Sequence, residues 1–225
     1  MRAALVEVAG QPLVVRDDIE IADPGPGQVL VKVAHCGVCH SDLSIADGAF
    51  PAALPILLGH EAAGVVDAVG PNVRDLAPGD SVVLTACPPC GRCYWCMRGE
   101  PAICVDAIGI QTNTFADGST GLSRLGETVY RGLNVAAFAE YVVTQESGAV
   151  KIPADVPLEV ACVVVCAVQT GVGAVLNTAR VEEGATVLVM GLGGVGLATG
   201  AHARDVLALT MAADRSVKEG GPVKF

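Results

Sequence analysis

The chain has 225 residues, of which 52% are hydrophobic, 17% charged and only 4% aromatic, and its net charge is −10. That composition supplies a sizeable core of Val, Ala and Leu and excludes a disordered chain. The negative balance, without a block of consecutive Lys or Arg, opposes non-specific binding to nucleic acid, whose affinity rests on neutralising phosphates. An anionic cofactor stays open, because backbone N–H groups at a helix N-terminus hold phosphate without basic side chains.

In chain order, MRAALVEVAG at 1–10 is too short for a secretory apolar region and carries Glu7. It reads as a first strand, and a cytoplasmic protein is expected. RAALVEV, LVVRDDIEI and QVLVKVAHC then predict three strands, with DPGPGQ at 23–28 breaking the second from the third. EAAGVVDAVG and SVVLT predict two more around the turn Ala77-Pro78-Gly79-Asp80. Together they predict a β-rich, barrel-like domain. Residues 86–135 have weak periodicity, many cysteines and little core material, which predicts a long irregular excursion pinned by a metal. AAFAEYVV at 136–143 returns to strand pattern.

The character changes at Leu158. The apolar run LEVACVVVCAVQTGVGAVLNTA predicts one or two helices. Its most apolar part, 160–175, contains Cys162, Cys166, Gln169, Gly171 and Gly173, and predicts a buried helix and turn rather than a membrane span. Glu182-Glu183-Gly184 reads as a turn, ATVLVM at 185–190 as a buried strand, and GLGGVG as the opening of a helix. The fold class is therefore α+β passing into α/β, with a β-rich domain over 1–157 and a second domain begun over 158–225.

Nine cysteines in a chain without a secretory pattern point to metal rather than disulfides. Cys90, Cys93, Cys96 and Cys104 form C-x2-C-x2-C-x7-C. Short gaps turn consecutive thiolates toward one centre, and the longer loop brings the fourth. Such a set gives Zn²⁺ a closed tetrahedral shell without a substrate position, so it would be a structural zinc. An iron–sulfur cluster uses Cys₄ sets as well and is the rival. Cys87, just outside the set, reads as a non-ligand.

Two further segments carry chemistry, CGVCHSD at 36–42 and GHEAAGVVDAVG at 59–70. Alone, Cys39 or His60 would be an ordinary buried residue. Together they suggest a thiolate and a neutral imidazole meeting at one zinc, with Asp42 orienting the imidazole. Gly191, Gly193 and Gly196 form G-x-G-x-x-G between the predicted strand and helix. The first glycine permits the tight turn, the second admits a pyrophosphate and the third allows helix–strand packing.

On CGVCHSD, GHE with its following glycines, the four-cysteine lobe and GLGGVG, in this order, the chain resembles the zinc-containing alcohol dehydrogenases of the medium-chain dehydrogenase/reductase family. The resemblance runs from residue 1 to about 203. It implies a GroES-like catalytic domain, a structural-zinc lobe at about 86–135 and a partial Rossmann-type cofactor domain. It implies a catalytic zinc on Cys39, His60 and Cys166, the last lying 25 residues before Gly191, with the fourth position left to water or substrate oxygen. Ser41 matches the hydroxyl that takes the alcohol proton, and His40 a neighbour that contacts the cofactor phosphate or assists proton transfer. Glu61 matches a transient zinc ligand and Thr170 a position on the nicotinamide side. Ser44 stands where some relatives end the proton relay with His.

Gly191, Gly193, Gly194, Val195 and Gly196 match the cofactor turn, and Asp214 the acid on the adenosine ribose, which favours NAD over NADP. ALTMAADRSVK also resembles a segment found much later in relatives. Cys36 and Cys162 have no ligand assignment, and His35 and His202 read as structural or exposed. The implied activity is hydride transfer between NAD and a primary or secondary alcohol, or the aldehyde or ketone. The expected partner is a small-molecule alcohol or aldehyde, with neither nucleic acid nor membrane; full-length relatives are expected to be homo-oligomers. Because the sequence supplies at most two strands of the cofactor sheet, the alternative is a truncated zinc-binding remnant without dehydrogenase activity, at most an interaction module.

Overall fold

The computed structural model describes residues 1–182, 185–191 and 193–200. Among the described residues there are twelve strands, β1 to β12, in order: Ala3–Val6, Val14–Arg16, Glu20–Ile21, Gln28–Gly37, Ile56–Leu57, Glu61–Val69, Ser81–Leu84, Leu122–Arg124, Glu127–Thr128, Tyr130–Arg131, Tyr141–Gln145 and Ala149–Lys151. They make a five-stranded sheet in the order β11-β4-β6-β7-β12, a four-stranded sheet β10-β5-β1-β2 and a three-stranded sheet β3-β8-β9. The alternation of QVLVKV explains the central sheet. Val29 and Val31 of β4 face inward and join Val66, Val82, Leu84 and Val142 in one core. Register shifts at Leu30/Val31 and Val33/His35, where β4 pairs antiparallel with β6, bend the long strand.

LVVRDDIEI does not form one strand. It breaks into β2, which pairs with β1, and β3, which pairs with β8. Between them Ile19 is buried and exchanges backbone hydrogen bonds with Met1. One segment thus serves two sheets, and two consecutive aspartates mark the break.

The stretch 86–135 is less hollow than its sequence suggests. Its first part is irregular, with short helices Tyr94–Met97 and Gly109–Thr112. Its second part forms β8, β9 and β10 and contributes Leu122 and Val129 to a core with Leu5, Ile19 and Leu57. Arg131 in β10 is fully buried. Its guanidinium donates to the carbonyls of Val143 (2.9 Å), Asn134 (2.9 Å) and Thr120 (3.3 Å) and lies 3.9 Å from the centre of the Phe115 ring. Burial pushes its pKa down, and the three carbonyls with the ring face replace a carboxylate partner.

The chain divides into two compact units, Met1–Val165 and Cys166–Phe225; the sequence had suggested a division after 157. Leu158–Thr178 is one helix, long and apolar enough by length and composition to cross a membrane. The expected burial holds for its first turns, where Ala161 and Cys162 pack against Ala63 and Val83. Beyond Val165 most of its side chains are half-exposed or exposed, so the expectation of a buried helix fails there.

The predicted strand at 185–190 is also absent: these residues have no strand pairing, and Leu188 and Met190 are 83% and 89% exposed. A strand exists through hydrogen bonds to a neighbour, and no neighbour pairs with it among the described residues. Gly194–Gly200 does form the predicted helix.

Candidate metal centres

In the lobe, the four cysteine sulfurs at 90, 93, 96 and 104 all lie within 4.8 Å of one another. Local geometry brings them there. Cys93 caps helix Tyr94–Met97, its sulfur accepting the Cys96 N–H. Gly91 and Gly99 take positive φ at the two reversals. A 3₁₀ turn, Pro101–Ile103, then returns Cys104, whose sulfur stands 4.0 Å from that of Cys93 and accepts the Cys90 N–H at 3.3 Å. N–H groups aimed at sulfur favour the thiolate. Donation from Cys96 draws the Cys93 thiol down to about 6. For Cys104 burial acts upward, but the N–H groups of Cys90 and Asp106 prevail and the thiol is lowered. Four sulfurs and no other donor make a closed, thiolate-only set.

The second group is built from β4, β6 and the helix His40–Ala46 between β4 and β5. Ligand atoms of Cys39, His60 and Glu61 lie within 4.8 Å of one another. Asp42 organises them. Its Oδ2 accepts the Cys39 N–H (3.2 Å), closing a capping box at the helix start. Its Oδ1 accepts the Gly59 N–H (2.9 Å) and lies 3.1 Å from His60 Nδ1. A carboxylate only accepts, so Nδ1 carries the hydrogen and Nε2 keeps its lone pair for a metal. Asp42, His60 and Glu61 are all buried.

Two glycines make room for this group. A Cβ on Gly37, opposite Glu61 in the β4–β6 register, would collide with the Glu61 carboxylate. Gly59 has φ +92°, and a Cβ there would come within 2.6 Å of Phe138. A sulfur, an oriented imidazole and a nearby carboxylate suit zinc, and this mixed donor set differs from the lobe's four thiolates.

A family model, the alcohol dehydrogenase GroES-like domain, matches residues 25–154. The chain belongs to the zinc-dependent alcohol dehydrogenases that carry this domain. Among its relatives, the class-3 alcohol dehydrogenase of Drosophila melanogaster is 40% identical over 88% of this chain and 53% of its own length. Alcohol dehydrogenase B of Mycobacterium tuberculosis is 42% identical, with the same two coverages. The crystal structure of an alcohol dehydrogenase zinc-binding domain protein from Burkholderia ambifaria superposes with TM-score 0.84 at 39% identity, over 91% of this chain and 56% of that one. Benzyl alcohol dehydrogenase from Acinetobacter calcoaceticus gives TM-score 0.82 at 34% identity, over 91% and 55%. The chain spans about half the length of the relatives it matches.

The other predicted positions are distributed as follows. Ser41 Oγ is 3.7 Å from Cys39 Sγ and accepts from it, whereas His40 is exposed. Cys166 is the first residue of the second unit, in the π-helical turn Val164–Val168, and Thr170 is exposed in helix Gln169–Gly173. Gly191 takes φ +106°, as a tight turn requires, and a Cβ on Gly196 would collide with the Gly191 carbonyl. Gly193 has open space around it, and Gly194 and Val195 begin the helix. Asp214 and His202 lie outside the described residues.

Cys87 is half-buried outside the four-sulfur set, and burial pushes the Cys36 thiol up to about 12 and raises that of Cys162. Such thiols are poor nucleophiles. The sequence reading passed over Gly37 and Asn113. A glycine opposite an acid in paired strands, and an asparagine ending a helix, were their available signals.

Proposed function

We propose that the chain carries the metal-binding catalytic part of an NAD-dependent zinc alcohol dehydrogenase, transferring hydride between the cofactor and a primary or secondary alcohol or its carbonyl product. The observation that carries this is Asp42 holding His60 Nδ1, 3.1 Å away, while its other oxygen fixes the Cys39 backbone. Cys39, His60 and Cys166 would hold the catalytic zinc, and Cys90, Cys93, Cys96 and Cys104 a structural one. Zinc at the first set would supply Lewis acidity to an alcohol oxygen, easing loss of its proton near neutral pH.

The chain's own groups do the rest. Ser41, beside the Cys39 sulfur, receives that proton, and exposed His40 passes it on or meets the cofactor phosphate. Glu61 stands ready as an exchanging ligand. Gly191, Gly193, Gly194, Val195 and Gly196 would cradle the pyrophosphate, Thr170 would line the nicotinamide side, and Asp214 would be the acid that accepts from the adenosine ribose and so selects NAD. The seating of the first turns of Leu158–Thr178 against Ala63 and Val83 supports a core helix rather than a membrane span. The names of the relatives point to an alcohol or aldehyde substrate; a cytoplasmic location and a homo-oligomer are part of the same reading.

The test is zinc analysis of the purified 225-residue chain together with NAD-linked alcohol oxidation, with and without chelator. Two zincs and a chelator-sensitive rate are expected. Two bound zincs without any rate would sink the enzyme reading for this chain.

A further inference from the structure

The two metal groups share no residue, yet a path of hydrogen bonds and short stretches of backbone connects them, all within Met1–Val165. It starts at Cys104, whose carbonyl accepts the Ala107 N–H (3.1 Å) at the 3₁₀ turn leading into Gly109–Thr112. Asn113 ends that helix in the left-handed conformation, φ 58°, and is buried. Three of its four polar groups have identified partners. Its N–H donates to Gly109 (2.9 Å), its carbonyl accepts the Arg131 N–H (2.9 Å), and its Oδ1 accepts the Leu133 N–H (3.2 Å).

Leu133, Asn134 and Ala136 all hold positive φ, at 49°, 65° and 65°. Leu and Ala rarely accept that conformation, so the surroundings must impose it. Arg131 holds the Asn134 carbonyl, and Asn134 Nδ2 donates to Ala86 (3.2 Å) at the edge of the lobe. The segment then delivers Ala137 and Phe138, whose N–H groups donate to Gly59 (2.9 Å) and Leu58 (2.8 Å). Gly59 is the residue that donates to Asp42, and His60 follows it.

We propose that Asn113 is a positioning residue that couples metal occupancy of the four-cysteine lobe to metal affinity at Cys39 and His60, through the constrained segment 131–138. A filled lobe fixes Cys104 and so the helix end at Asn113. Asn113 holds Leu133 left-handed, and the segment holds Gly59 where its N–H and the His60 ring share Asp42 Oδ1. An empty lobe releases the first link. The inference rests on the reading that both groups bind metal.

Cobalt(II) titration of the full chain tests it, because four thiolates and a mixed thiolate–imidazole set give different charge-transfer absorption. Affinity at Cys39/His60 is measured with the lobe filled and in Cys93→Ala; affinity of the lobe is measured in the full chain and in Cys39→Ala. Coupling between binding sites is reciprocal, so each metal should strengthen the other by the same factor, at least about fivefold. Asn113→Gly keeps the left-handed backbone but removes Oδ1, and should bring both factors to one. Asn113→Asp retains an acceptor oxygen and should keep them, a rescue that a merely structural role would not produce. Factors of one in the parent chain, or unchanged factors in Asn113→Gly, overturn the proposal. Failure of either group to bind cobalt at all overturns the metal reading beneath it.

Discussion

The lobe and the Cys39/His60 group reach the same kind of donor geometry by opposite routes. All four lobe sulfurs come from the string CGRCYWCMRGEPAIC, and short helical turns and glycine reversals suffice to gather them. The other group needs a helix start, the buried beginning of a central strand and two glycine clearances, all set by the packed sheet. Local assembly makes the lobe dependent on its own ligands. Long-range assembly makes the second group dependent on residues that never touch a metal.

The largest effects should separate the two outright. Cys39→Ala is expected to remove one metal per chain and leave the other, and Cys93→Ala to do the reverse, both read by metal analysis. Loss of both from either substitution would break the comparison at its root. Next, Asp42→Asn leaves one oxygen for bonds that now use two and presents an amide to an N–H. It should weaken metal at His60 by about 10–100-fold, measured by competition with a chelator, with the lobe metal retained.

Gly59→Ala tests dependence on the sheet. Its φ of +92° and the 2.6 Å approach to Phe138 predict a loss of about 1–3 kcal/mol in denaturant unfolding, with lower metal content at His60 while the lobe keeps its metal. The smallest effect concerns the surface. Glu7 is held below its ordinary value of 4.5 chiefly by the Arg16 guanidinium at 2.7 Å, and Asp18 is lowered in the same way by Arg124. A depressed carboxylate contributes stability above its unfolded pKa and loses it as pH falls through the folded one. Glu7→Gln should therefore lower the melting temperature slightly at neutral pH, with the gap to the parent closing as pH falls below about 4.5, read by thermal melts across pH.

What could be read from the sequence follows the same division. The cysteine spacing predicted a four-sulfur group because ligand and turn were encoded together. Asp42 was legible as an orienting acid from its place in CGVCHSD, but its second task as a helix cap depends on the exit angle of β4. Arg131 was illegible: nothing in TVYRGLN announces a cation neutralised by carbonyls from three separate segments. The break in LVVRDDIEI was hidden because its apolar pattern satisfies two sheets in turn. The strand expected at 185–190 fails for a different reason. An apolar run specifies readiness to pair, while pairing itself needs a neighbour.

The closeness of the lobe ligands also has a temporal meaning. During synthesis Cys104 emerges well before Cys166, the proposed third ligand of the other set. The lobe can therefore take its ion while the growing chain is still unable to complete the second set. When zinc is scarce, nascent chains would fill their scaffold first and their chemistry last.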